Sequence, residues 1–478
     1  MALKTTNGDF KMAKNQVPLK VKLTIICCAT LAFCGVMLET AMNVTFPTLM
    51  SQFSLPLSVI QWVATGYLLA VAITMSLAAY IQRRFSFRLI MSVAVILFIG
   101  GGLLCAGASQ FWMLFAGRMI QGVLTGMIMP LLFTIIMVKI PHQIQGQYVG
   151  TAGMVVALAP SVGPSYGGFV TQTFSWRLMF WLVIPIGLLA GLMAVIVTEK
   201  SKSSQSDRLT FPIFQFICLA LMLTGFIIGF NQIGSAGIKA PITWGSLVIG
   251  LIGLVMFLIL SRKSRHPLIN LHIFLYAGYR NALGLYFLMM FMQVSQTFLV
   301  PSFAQIVLKT DTFVAGALLL AGSFSSVFLA PLAGKLLDRH PFKFSLLIGI
   351  LFVTFSSLFL LGLSHRLTSL IIVVGFLAFM IGFSFIFNNA MTYGLQQLPE
   401  KLVGDGNATF NTLQQYAGSL STAVVGMIIT IIGGSHTSAI DMIHSATAVY
   451  LMLLLLSLAL IWLGYNVIYA EKKNNKKD

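Results

Sequence analysis

Fourteen apolar stretches, each near the length of a membrane-crossing helix, recur along this 478-residue chain. A helix that crosses a hydrocarbon core of ~30 Å needs about 20 mostly apolar residues. The run from Leu451 to Leu463 is typical, continuous and free of charge. Strands of a membrane barrel would instead alternate over segments of ~10 residues. The spacing predicts an all-α polytopic membrane protein. Charge content agrees, because only 8% of the residues are Asp, Glu, Lys or Arg, against roughly 25% in soluble domains. Such a chain cannot cover a soluble surface, and it is far too apolar to stay disordered.

The net charge of +18 invites a nucleic-acid partner until the basic residues are placed. With a cytoplasmic amino terminus, 24 of the 29 Lys and Arg fall in inside segments and 4 in outside loops. That asymmetry is a positive-inside signal, directed at anionic lipid rather than nucleic acid. Both termini are then cytoplasmic, in the cell membrane of a bacterium. The remaining basic residue, Arg118, lies within a span. The five cysteines fall in spans without a CxxC spacing, and the seven histidines form no ligand cluster. No metal, cofactor or catalytic centre is expected, so the chain reads as no enzyme.

The chain carries an internal echo. Gly334-Lys335-Leu336-Leu337-Asp338-Arg339 follows span 10, and Ala79-Tyr80-Ile81-Gln82-Arg83-Arg84 follows span 2, an offset of 255 residues. Pro47 and Pro301 repeat at an offset of 254. Two such landmarks support a duplicated transporter with two spans inserted between its halves. The expected layout is 6+2+6: a cytoplasmic segment 1–22, a six-helix bundle 23–198, two additional spans within 199–265, a second bundle 266–468 and a cytoplasmic tail 469–478.

Several motifs occur in order on these spans. Span 1 ends Glu39-Thr40-Ala41-Met42-Asn43-Val44-Thr45-Phe46-Pro47, and span 4 holds Arg118-Met119-Ile120-Gln121-Gly122. Span 5 holds Gly153, then Gly163-Pro164-Ser165-Tyr166-Gly167-Gly168. Trp176-Arg177 with Pro185 and Gly187 opens span 6, and His266-Pro267-Leu268-Ile269-Asn270-Leu271 precedes span 9. Together these resemble the 14-span drug:proton antiporters of the major facilitator superfamily, of EmrB/QacA type. The resemblance implies a major facilitator fold, alternating access and export of small molecules against protons by a monomer. It also implies that Gly153, Gly163, Pro164, Gly167 and Gly168 form the antiporter motif that seals the amino half. The cytoplasmic gate loops would be Arg83, Arg84 and Arg88 with their counterparts Gly334, Asp338 and Arg339. The family loop after span 2 usually carries Gly, Asp and Gly where this chain has Ala79, Arg83 and Ser86, which puts the amino-half latch in question.

Of the eleven acids, Glu39 alone falls inside a span; Asp405 and Asp441 are assigned to segments outside the membrane. An intramembrane carboxylate is costly, and its default reading is functional. Burial favours the neutral acid and a nearby cation the charged one, so a carboxyl balanced between them can exchange a proton as a cavity opens. The bland reading is a side chain that snorkels to the surface. Glu39 lies eight residues before Pro47, about 12 Å along a helix axis, which disfavours snorkelling. Arg118 lies seven residues after Phe111, about 10 Å deep. It shares a helical face with Gln121, Gly122 and Thr125. Arg118 is expected to couple to Glu39, directly or through water; the alternative is satisfaction by backbone carbonyls and Gln121.

Polar residues within the spans are candidates for a central cavity: Asn43, Tyr67, Gln121, Gln293, Gln296, Asn388, Asn411 and Gln414. Each is equally able to bridge helices. The 25 Met and 38 Phe would suit a plastic pocket. The combined reading is a proton-coupled exporter, with the lipid bilayer as its surroundings. Its substrates are lipophilic monocations, zwitterions or neutral amphiphiles. An exporter of one endogenous metabolite, peptide or lipid, or a membrane sensor without transport, are the other readings.

Overall fold

Long helices make up almost the whole structure, a computed structural model that describes residues 17–198, 211–264, 267–339, 341–433 and 438–474. The basic and acidic residues assigned to 1–16, 199–210 and 475–478, together with Arg265 and His266, lie outside the described residues. Fourteen helices of 20 residues or more are present among the described residues. The first six are α1 (Leu19–Val44), α2 (Trp62–Arg84), α3 (Phe87–Ala106), α4 (Phe111–Lys139), α5 (His142–Thr173) and α6 (Trp176–Val197). Then come α7 (Ile213–Ser235) and α8 (Pro241–Lys263). The last six are α9 (Ala277–Ile306), α10 (Leu320–Arg339), α11 (Phe342–Gly362), α12 (Ser369–Gln396), α13 (Glu400–Gly433) and α14 (Ala439–Asn474).

Among the described residues, thirteen stretches are long and apolar enough to cross a membrane by length and composition. The long helix outside that set is α5, whose sequence is interrupted by Gly, Pro and Gln. Exposure then separates centre from periphery. In the stretch from Leu57 to Ala78, 83% of the apolar window is buried, whereas the figure for α8 is 28%. On α8, Trp244, Val248, Leu251, Ile252 and Val255 are all exposed. Water would not tolerate a patch of that kind, but lipid tails match it. The protein is therefore a multi-pass membrane protein.

Local chemistry sets several helix starts. Ser86 caps α3 by accepting the Leu89 amide at 3.3 Å. Thr368 caps α12 through Ile371, and Ser438 pairs reciprocally with Asp441 at the start of α14. Asp405 and Asp441, assigned to segments between spans, instead lie in the first turns of the apolar helical stretches Lys401–Gly433 and Ala439–Tyr469.

The helices pack as two groups. α1 lies against α4, α5 and α6, α2 against α4, and α3 against α4 and α6. α9 lies against α12, α13 and α14, with α10 and α11 on α12. α8 packs on α7, and α7 packs on α13 while also touching α2. Two contacts fix α7 in place. Asn231 Nδ2 donates to the Ser58 carbonyl at 3.1 Å, and Gly234 faces the Met427 main chain so closely that a Cβ would lie 2.9 Å from it.

Candidate functional site

The two intramembrane charged residues are both buried, on helices that pack against each other. Glu39 on α1 is buried, and Arg118 on α4 is wholly buried. Tyr67 on α2 stands between these helices, and its ring lies 4.0 Å beneath the Arg118 guanidinium. The Tyr67 hydroxyl donates to the Gly35 carbonyl at 3.1 Å and to Thr125 Oγ1 at 2.8 Å. Gly35 is one turn before Glu39 on the same helix. Thr125 in turn donates to the Gln121 carbonyl, and Arg118 Nη1 donates to Gln121 Oε1 at 2.9 Å. Gly122 allows the fit, since a Cβ there would meet the Tyr67 carbonyl at 2.6 Å. The face expected for Arg118, Gln121, Gly122 and Thr125 is thus the face that grips Tyr67.

No ion pair joins Glu39 directly to Arg118. Arg118 Nε and Nη2 have no acceptor, and the buried Oδ1 of Asn43, one turn beyond Glu39, has no donor. An Arg held by one amide and one aromatic face is specified by shape as well as charge. Arg118→Lys keeps the charge but loses the fork and the stacking. It is expected to lower stability by about 2 kcal/mol and to impair transport. A wild-type melting temperature and wild-type transport would show that charge alone suffices.

Helix α5 clamps α1 at this level. A Cβ on Gly163 would collide with Thr40 Oγ1, and one on Gly167 would lie 2.5 Å from the Ala41 carbonyl oxygen. Thr40 and Ala41 directly follow Glu39. The next residue, Gly168, faces the Thr312 carbonyl of the short helix Thr312–Ala317, and Gly316 of that helix faces the Pro164 carbonyl. The Gly163–Gly168 segment therefore packs on α1 with one side and on the other helix group with the next. Gly153 is not part of this packing, as no heavy atom lies within 4 Å of where its Cβ would be.

The second group carries the remaining candidates, in differing roles. Gln296 is buried with Oε1 unpartnered, and Gln293 is half-buried. Gln414 Oε1 accepts from Tyr286 at 2.6 Å, and Tyr286 stacks on Phe387 with ring centroids 4.1 Å apart. Asn411 bonds to Asn407 one turn earlier on α13. Asn388 is exposed, whereas its neighbour Asn389 is buried and ties α12 to Ala333 of α10 and Ser345 of α11. Of the gate loops, Arg84 is exposed, Arg88 is half-buried and Gly334 has open space around it. The side chains of Arg83, Asp338 and Arg339 lie outside the described residues.

A polar seam between α2 and α13 adds residues that sequence reasoning did not select. Thr65 and Thr422 hydroxyls lie 2.6 Å apart, Ser419 donates to the Thr65 carbonyl at 2.8 Å, and the Gln61 side chain fills the notch at Gly426. Ser419, Thr422 and Gly426 are spaced three and four apart on α13, a small-residue stripe typical of close membrane-helix contact. Near the same end, Phe46 meets Phe298 edge-on at 5.4 Å, and Gln305 donates to the Val44 carbonyl at 2.8 Å.

The profile of the Major Facilitator Superfamily matches residues 28–422. The chain belongs to this superfamily. Lincomycin resistance protein LmrB of Bacillus subtilis is 31% identical over 438 residues, covering 91% of this chain and 89% of that protein. A multidrug resistance protein B homolog of Mycobacterium tuberculosis is 26% identical, covering 82% of this chain and 73% of that protein. Among solved structures, a bacterial homolog of the human lysosomal transporter Spinster, inward-facing and unoccupied, superposes with a TM-score of 0.65 at 14% identity. That likeness covers 95% of this chain and 99% of the other. The helical architecture is thus that of major facilitator transporters of small molecules.

Proposed function

We propose that this transporter is a proton-coupled drug exporter of the 14-span EmrB/QacA type, built as bundles 23–198 and 266–468 around two additional spans. The observation that carries the reading is Glu39, a buried carboxylate without an ion-pair partner, on a helix that Tyr67 links to the helix of the buried Arg118. A group of that kind is expensive in a membrane unless its charge changes during work. Relatives named for lincomycin and multidrug resistance support a lipophilic drug as the cargo. A single intramembrane carboxylate balances one positive charge, which favours monocations, zwitterions and neutral amphiphiles.

Substrate would enter from the cytoplasm or inner leaflet, and Glu39 would exchange its proton with the outside. The contacts between the two helix groups gather near Val44, Phe46 and the first two turns of α2. With a cytoplasmic amino terminus, that end is the outer one, and the arrangement supports an inward-facing state. The termini on the cytoplasmic side and a working monomer belong to the same proposal.

Inverted membrane vesicles test it. A pH gradient, acid inside, is expected to drive uptake of several lipophilic dyes and antibiotics, lincomycin among them, and a protonophore should abolish it. Uptake of none of the compounds would turn the reading toward a single endogenous metabolite. Uptake indifferent to the protonophore would remove proton coupling.

A further inference from the structure

One side of α13 changes character along its length. Gly404, Asn407, Asn411, Gln414, Gly418 and Thr422 follow one another at intervals of three or four residues, so they share that side of the helix. At its far end the side is packed between the two helix groups. Thr422 meets Thr65 of α2, and a Cβ on Gly418 would lie 3.2 Å from Leu68 of α2 and 3.4 Å from Val294 of α9. Toward Glu400 the same side opens. Gly418 is buried, Gln414 and Asn411 are half-buried, Asn407 is exposed, and nothing lies within 4 Å of where a Gly404 Cβ would be. A side that starts between the groups and emerges without change of direction lines the cleft where they part.

This wall of the cleft is made of amides, and each has a free valence. Gln414 Oε1 accepts from the Tyr286 hydroxyl, whose ring is fixed by stacking on Phe387 and by Phe410 edge-on at 4.9 Å. Gln414 Nε2, a donor, is then left without a partner among the described residues. Asn411 Nδ2 donates to the carbonyl and Oδ1 of Asn407, which leaves Asn411 Oδ1 and Asn407 Nδ2 in the same condition. From Gln414 to Asn407 the open groups run donor, acceptor, donor over about 10 Å. No Asp, Glu, Lys or Arg belongs to this side between Gly404 and Thr422.

Cargo without polar groups would dehydrate these amides and return no hydrogen bond, which is costly. A hydroxyl turns its O–H to donate or to accept as its neighbour requires, so a run of hydroxyls answers the whole row. We propose that this wall binds the uncharged, hydroxylated part of an amphiphilic cargo. Gln414 and Asn411 are the specificity-determining residues, and Tyr286 positions Gln414. The proposal rests on the export reading above and narrows it, since the cargo then carries a hydroxyl-bearing face beside its apolar one.

The test uses the full chain in neutral detergent and two probes: lincomycin, which carries sugar hydroxyls, and tetraphenylphosphonium, which has no hydrogen-bonding group. Asn411→Leu with Gln414→Leu is expected to weaken lincomycin binding roughly tenfold and to leave tetraphenylphosphonium binding unchanged. Tyr286→Phe keeps the ring and removes the donor to Gln414. It should weaken lincomycin about threefold, again without effect on tetraphenylphosphonium. Lincomycin acetylated on its hydroxyls should bind the wild type roughly tenfold more weakly than lincomycin does, a comparison that needs no variant. In inverted vesicles the double variant should raise KM for lincomycin and keep kcat. A wild type without gradient-driven uptake would strike the export reading, whereas the binding measurements would still decide this one. Three results would overturn the proposal: no binding of lincomycin by the wild type, equal weakening of both probes in the double variant, or acetylated lincomycin binding the wild type as well as lincomycin.

Discussion

Glu39→Gln is expected to reduce gradient-driven uptake into inverted vesicles to the level seen without a gradient. Binding of the same compound to the purified protein should stay within a few-fold of wild type. The argument rests on shape and charge together. Gln replaces Glu almost atom for atom, so the packing of α1 on α5 and α6 is kept. What is lost is the carboxyl that, in the proposed mechanism, would hold and release the proton. Glu39→Asp keeps the carboxyl, on a side chain one methylene shorter, and should retain part of the driven uptake. Full driven uptake by Glu39→Gln would sink the coupling role. Equal loss of binding and transport would instead make Glu39 a substrate contact.

The second large effect belongs to Gly167→Ala. The added methyl would lie 2.5 Å from the Ala41 carbonyl oxygen and 2.8 Å from its Cα. These are main-chain atoms, which cannot rotate aside as a side chain can. Helix α1 must therefore move, and Glu39 is two residues away. Overpacking of this kind costs about 1–3 kcal/mol, so a lower melting temperature and near-complete loss of driven transport are expected. Gly153→Ala on the same helix is the internal control, because its methyl meets nothing within 4 Å. It should be neutral or slightly stabilising, by up to about 1 kcal/mol, since alanine favours a helix over glycine. If both variants behaved alike, close packing at Gly167 would not be the reason for the motif.

Legibility in the sequence followed the rarity of a residue in its surroundings. Glu39 and Arg118 stood out because charge is scarce in spans, and the structure buries both. Gln121 and Thr125 followed from helical spacing alone. Tyr67 was selected as a polar residue within a span, but its role as a bridge from Arg118 to Gly35 needs the third dimension. Asn388 and Asn389 show where periodicity stops. Successive residues point about 100° apart on a helix, and no local signal says which faces protein. The structure buries Asn389 and exposes Asn388. The seam of Thr65 with Thr422 joins residues 357 positions apart, beyond the reach of any local pattern. Gly163 to Gly168 could be picked out as a motif, but not the Thr40 and Thr312 surfaces that require it.

Helix α7 has a consequence for timing. Through Asn231 it is bonded to Ser58 beside α2, and through Gly234 it is seated on Met427 of α13. Whichever group α7 travels with, the other contact must part before this end of the bundle can open. In the transporter proposed above, α7 would then add to the waiting time between states. Turnover would then be set in part by a helix–helix contact rather than by the binding of substrate.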